Sequence, residues 1–149
     1  CTHVLRTNLS SLWNPGPLLR WVRSQPPEAH ISGYMGDHGG RPFVSGAGML
    51  ISREVALFTV RHQDRLDATI ADDVALSWLW MPHFTPRKAK RNDSFWKFPV
   101  EHIHTVNEIQ KRWDPDSFHY RLKQEHPTKR WIEPLLMKSL IPRMLTGLE

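Results

Sequence analysis

Twelve prolines in 149 residues limit what this chain can fold into. Each removes a backbone N–H and fixes φ, so the regular elements between them have to be short. They fall mostly between segments of periodic apolar residues, where breakers belong. Pro15-Gly16-Pro17 opens a helix whose apolar face is Leu18, Leu19, Trp21 and Val22. That helix runs to Ser24 and is ended by Pro26-Pro27. Pro82 and Pro86 end a second apolar helix, and Pro134 and Pro142 interrupt a last one over residues 129–145. No apolar run approaches the roughly 20 residues that span a bilayer.

The remaining segments read as short alternations. Residues 2–6 form a strand, 8–14 a loop rich in Ser and Asn, 29–34 a strand and 36–41 a turn. Residues 42–45 look extended. Gly46-Ala47-Gly48 then calls for close backbone approach or unusual φ/ψ, and a short apolar stretch follows at 49–51. Ser52 is a good N-cap for a helix over 53–61, and residues 64–70 read as a loop. Asp72 or Ala71 starts a helix over 73–80 carrying Val74, Leu76, Trp78 and Leu79. Residues 97–103 look extended, Thr105 caps a helix over 106–112 with Glu108 at the capping-box position, and 118–122 reads as a strand. The order is that of an α/β protein.

With 40% hydrophobic and 23% charged residues, residues 1–149 are read as a single domain. Seven Trp and six Phe argue against a disordered chain. The lone cysteine, Cys1, excludes an internal disulfide framework and a Cys-based zinc site. It fits a reducing compartment without requiring one. No signal-peptide pattern precedes it. The expectation is a mature product or a piece of a longer chain, and the piece is favoured.

Lys and Arg number 20 against 15 Asp and Glu, a net charge of +5. Such a balance suits nucleic acid, an anionic membrane or a phosphate-bearing small molecule. The excess is densest at Arg87-Lys88-Ala89-Lys90-Arg91, with Trp78, Trp80, Phe95 and Trp96 in the neighbourhood. Aromatics beside cations can stack bases. However, Trp78 and Trp80 sit in an apolar helical stretch, where packing is the expectation. No helix-turn-helix, zinc-finger or RNP pattern accompanies the run, so it reads as a solvated loop. A basic, Trp-rich nucleic-acid-binding or non-catalytic domain is the second reading.

Four constellations could carry chemistry. In Ser45-Gly46-Ala47-Gly48 small residues admit a ligand or a backbone to van der Waals distance, with N–H groups for sugar or phosphate oxygens. It is neither G-x-G-x-x-G nor a P-loop. Asp72-Asp73 at a helix start either complements the macrodipole or supplies a general base. His102-x-His104 could bind zinc but has no third ligand at recognisable spacing, while His119-x-Arg121 on a strand would face a diphosphate from one side. Finally, Arg6, Thr7, Asn8 and Ser10 lie where a strand turns into a polar loop rich in donors for phosphate or ribose.

In this order the segments RTNLSS, PLLRWV, FVSGAGMLISREVA, ADDVALSWLW and FHYRLK resemble GT-A-type nucleotide-sugar glycosyltransferases, most of all the fringe and β-1,3-galactosyltransferase relatives. The resemblance implies a partial GT-A (nucleotide-diphospho-sugar transferase) fold, a mixed sheet flanked by helices, with the N-terminal nucleotide-binding strands missing. It implies transfer of a sugar from a nucleotide-sugar donor, by analogy a UDP-sugar, to a hydroxyl on a glycan or other acceptor, with inversion. Asp73 would be the base with Asp72 beside it, and Ser45, Gly46, Ala47 and Gly48 would line the donor. Arg6, Thr7, Asn8, Ser10, His119 and Arg121 would serve the diphosphate.

Three departures stand out. Ser77 takes the place of a usual Gly. Arg6-Thr7-Asn8 stands where the metal-binding D-x-D is expected, which leaves Mn2+ or Mg2+ open and His119 as the most a metal could claim. Asp114-Pro115-Asp116 spells D-x-D but reads as a proline turn. The compartment is open between cytoplasm or membrane association in a microbe and the Golgi lumen in a eukaryote.

Overall fold

A computed structural model of the chain describes residues 1–84 and 100–145. The basic run at 87–91, Phe95, Trp96 and Pro86 lie outside the described residues. In chain order the elements are β1 (His3–Thr7), β2 (Ser11–Trp13), α1 (Pro15–Arg23), β3 (Ile31–His38), β4 (Arg41–Ser52), α2 (Arg53–Arg61), α3 (Asp72–Trp80), β5 (Glu101–His102), α4 (Val106–Arg112), β6 (His119–Arg121) and α5 (Ile132–Leu145). The chain is mixed α/β, with two three-stranded sheets flanked by helices. It divides into two compact units, Cys1–Thr7 with Gln25–Phe98 and Asn8–Ser24 with Pro99–Glu149.

The first unit holds an antiparallel sheet in the order β1-β4-β3. Its hairpin closes at Gly39-Gly40, whose φ values of +61° and +79° suit a two-residue turn matched to strand twist. The turn expected over 36–41 is therefore only two residues long, and β3 continues to His38. Residues 42–51, expected as separate pieces, form one strand. That strand is irregular. Gly33 pairs with Met49 but Met35 pairs with Val44, so Ser45–Gly48 bulge away from β3 while Gly48 still faces Thr7 of β1. Behind the sheet Ile31, Val44, Met49, Val55, Leu79 and Trp80 form the core. Trp80 is buried and its Nε1–H donates to Thr59 Oγ1 at 2.7 Å. Trp78, expected in the core, is half-buried instead, with the Arg41 guanidinium 3.9 Å over its ring.

The second unit holds a sheet in the order β2-β6-β5, antiparallel between β2 and β6 and parallel between β6 and β5. The loop expected over 8–14 contains β2, because Ser11-Leu12-Trp13 is too short to show a period. In register, Ser11 faces Arg121, Leu12 faces Tyr120 and Trp13 faces His119. Alternation sends Leu12 and Tyr120 to one side, onto a core with Leu122, Ile103, Ile109, Leu136 and Leu140. Helix α5 starts at Ile132 and runs through Pro142 without interruption. Pro134 sits in its first turn, where the N–H has no intrahelical partner to lose. Leu136, Leu140 and Met144, four apart, bury one face, and at about 1.5–3 kcal/mol each they outweigh one lost bond at Pro142.

Candidate active site

The bulge in β4 frees amides that a regular ladder would occupy. Gly46 N–H donates to Asp73 Oδ2 at 2.8 Å, and Val74 N–H donates to Asp73 Oδ1 at 3.0 Å. The glycine is needed for contact rather than for φ, since a Cβ at Gly46 would lie 1.6 Å from Arg6 Nη1. Arg6 Nη2 donates to Asp72 Oδ2 at 2.5 Å, while its Nη1 is buried over the glycine without a hydrogen-bond partner. Asp72 also accepts from the Asp73 amide at 2.9 Å. Thr7 Oγ1 donates to the Ala47 carbonyl at 3.4 Å, and Ser45 Oγ accepts from the Ala47 amide at 3.3 Å. Ser77, standing where the resembled family has Gly, is fully buried and joins the two motifs. Its hydroxyl accepts from Val44 N–H at 2.9 Å and donates to the Asp73 carbonyl at 2.7 Å. Thus Arg6, Gly46, Asp72 and Asp73, far apart in sequence, meet in the first unit.

The second unit assembles the other candidates on the face of β2 and β6 opposite its core. Arg121 Nη1 donates to Asn8 Oδ1 at 2.5 Å and lies 3.5 Å from Ser11 Oγ. His119 Nε2 lies 3.0 Å from Ser11 Oγ, and its ring stacks on Trp13 with centroids 4.0 Å apart. No carboxylate among the described residues pairs with Arg121. Burial pulls its guanidinium below the ordinary value, with Arg130 adding to the effect and Glu133 opposing it. Burial also lowers His119 to about 3, aided by Arg121 and His102. The imidazole is therefore neutral at pH 7 and brings no positive charge to a phosphate. The 3.0 Å Ser11–His119 pair has the spacing of an activated nucleophile, but so weak a base does not activate a hydroxyl at neutral pH.

No protein-family model, curated protein or solved structure matches this chain. What the site can do rests on its own residues. Ser10 differs from its neighbours among the candidates, since its hydroxyl turns inward to Glu133 Oε2 at 2.9 Å. Ser11 is the serine that reaches Arg121 and His119. Its place opposite Arg121 depends on the β2–β6 register, which the sequence does not display. Glu133 and Arg130 were likewise invisible in sequence, lying 123 and 120 residues from Ser10.

At Arg6-Thr7-Asn8 the first residue is a cation paired with Asp72, the second bonds Ala47, and the Asn8 oxygen already takes the Ser10 amide and Arg121. That donor set does not fit a divalent cation. Among the described residues no three His, Cys, Asp or Glu side chains are placed to hold a metal ion. His102 and His104 have ring centroids 6.4 Å apart. Asp114-Pro115-Asp116 is a turn, with Asp116 N–H on Asp114 Oδ1 at 2.9 Å and Asp116 paired to Arg20 at 3.3 Å. No described helix is long and apolar enough to cross a membrane.

Proposed function

We propose that this chain carries the base-bearing part of an inverting glycosyltransferase of GT-A type, acting on a nucleotide-sugar donor and a hydroxyl acceptor. One observation carries the reading: the Gly46 amide of the SGAG bulge holds the Asp73 carboxylate at 2.8 Å, across 27 residues of sequence. Of the two aspartates, Asp72 is tied up by Arg6 and lies at the surface. Asp73 takes one amide on each oxygen, which orients it and leaves lone pairs for a proton. The acceptor oxygen bonds to the anomeric carbon, and the bond from that carbon to the diphosphate oxygen breaks, its electron pair leaving on the diphosphate. The acceptor proton passes to Asp73. Asp72 keeps Arg6 over Gly46. Taken by itself, the second unit offers Arg121, a half-buried cation whose hydrogen-bond partners among the described residues are neutral, which suits the charge of a diphosphate. His119, being neutral, serves as a hydrogen-bonding and stacking support. No step is routed through a metal ion.

The test is Asp73→Asn in the full-length protein, assayed against a panel of UDP-sugars with and without chelator. Asn keeps an acceptor for Gly46 but turns its NH2 toward Val74 N–H, so circular dichroism is recorded with turnover to confirm that the variant is folded. Turnover is expected to fall by about 10²–10⁴, the usual share of a general base. Wild-type turnover in the variant would overturn the role of Asp73. Full wild-type activity in chelator is the expected result for a site without metal ligands.

A further inference from the structure

The turn that carries Asn8 is held from a distant helix. Ser10 and Glu133 are 2% and 6% exposed, so both polar side chains are out of water. Ser10 Oγ donates to Glu133 Oε2 at 2.9 Å and accepts from Arg130 Nη2 at 3.1 Å. Glu133 Oε1 accepts from the Gln124 amide at 3.1 Å and from Arg130 Nε at 3.3 Å. The Ser10 carbonyl accepts from Leu122 N–H at 2.8 Å, and the Ser10 amide donates to Asn8 Oδ1 at 3.2 Å. That same Asn8 oxygen accepts from Arg121 Nη1. A continuous chain of bonds thus runs from Glu133 through Ser10 and Asn8 to Arg121.

We infer that Glu133 is a positioning residue, which fixes the Asn8–Ser11 turn and through it the Arg121 guanidinium for an incoming diphosphate. The inference rests on the reading of Arg121 given above. Packing alone does not account for a carboxylate here. An apolar side chain in the first turn of α5 would fill the space at no desolvation cost, whereas a buried carboxylate is tolerated only when donors surround it. Complementing the helix dipole does not need burial either, and an exposed acidic residue would do it. The three donors on Glu133 meet the cost of burial, and two of them, Ser10 and Arg130, also bond to each other. The bonds converge on Ser10, which links α5 to the Arg121 partner Asn8.

Two variants of the full chain test this. Glu133→Gln places an amide donor against groups that already donate, and Ser10→Ala removes the link while leaving the carboxylate. The first measurement is exchange of the Arg121 guanidinium protons with water by NMR. The second is binding of inorganic pyrophosphate by calorimetry. Both variants are expected to stay folded by circular dichroism, to exchange the Arg121 protons about ten-fold faster, and to bind pyrophosphate about ten-fold more weakly. Should Glu133→Gln not fold, Ser10→Ala decides alone. Folded variants with wild-type Arg121 exchange overturn the inference whatever pyrophosphate does. Faster exchange in the variants, with no pyrophosphate bound by the wild type, supports the positioning role and overturns the diphosphate reading instead.

Discussion

At Gly33 an added Cβ would lie 2.4 Å from Val44 Cγ1 and 2.5 Å from the Gly48 carbonyl oxygen, while at Gly46 it would meet Arg6 Nη1 at 1.6 Å. The two clashes differ in kind. The Gly48 carbonyl is backbone in the middle of a sheet and cannot move without disturbing β4. The Arg6 tip is the end of a flexible side chain and can swing out to water. Gly33→Ala is therefore expected to destabilise by about 1–3 kcal/mol, the usual penalty for overpacking, read as a lower urea midpoint. Gly46→Ala is expected to unfold near the wild-type midpoint but to lose transfer activity, because Arg6 leaves Asp72. A Gly46→Ala protein with wild-type activity would remove Arg6 from the site. At this scale the sequence named Gly46, Asp73 and Arg6 as candidates, but the reason Gly46 must be glycine appears only when Arg6 lies on it.

Among the elements, α3 and β4 decide whether Asp73 is aimed at all. Helix α3 was legible from its acidic start and apolar run, and so was Ser52 as the N-cap of α2, whose hydroxyl accepts from Val55 N–H at 3.4 Å, but β4 was read as separate pieces. Helix α4 also lies where Thr105 and Glu108 place it, although Glu108 Oε2 takes the His104 amide at 2.7 Å rather than that of Thr105. Their junction was not legible. Val44, in register with Met35 of β3, donates its N–H to Ser77 Oγ of the facing helix at 2.9 Å. Ser77→Ala would bury that amide unsatisfied, at a cost of about 1–3 kcal/mol. It would also loosen the first turn of α3 against Gly46. A drop in urea stability of that size, together with faster hydrogen exchange at Val44 and Gly46, is the expected outcome. Unchanged exchange at both amides would mean that the helix is held without Ser77. Strand β2 and its register with β6 were hidden for a related reason, since a three-residue strand owes its existence to its partner.

Across the whole molecule, each unit buries one histidine. His30 is lowered to about 4 by burial and by His3, and His119 to about 3 by burial and by its cationic neighbours. Both are neutral in the folded chain at pH 5, whereas in the unfolded chain they take up protons below about 6.5. The unfolded state then binds more protons, so stability rises with pH in this window and is lost as pH falls from about 6.5 toward 4. Each histidine contributes a slope of up to about 1.4 kcal/mol per pH unit. Urea midpoints should fall between pH 7 and pH 5, less steeply in His30→Gln and His119→Gln. A flat profile would show that neither ring is held neutral.

The sequence by itself determined where the helices other than α5 begin and end, because caps, prolines and apolar spacing act within a turn or two of chain, whereas in α5 the burial of Leu136, Leu140 and Met144 overrode its prolines. It also singled out the residue types able to move a proton or meet a phosphate. Only the tertiary structure decided which of them meet. The bulge in β4, the pairing of Ser11 with Arg121, the neutrality of His119 and the hold of Glu133 on Ser10 all depend on hydrogen bonds and burial between residues distant in the chain, and no local pattern encodes those distances.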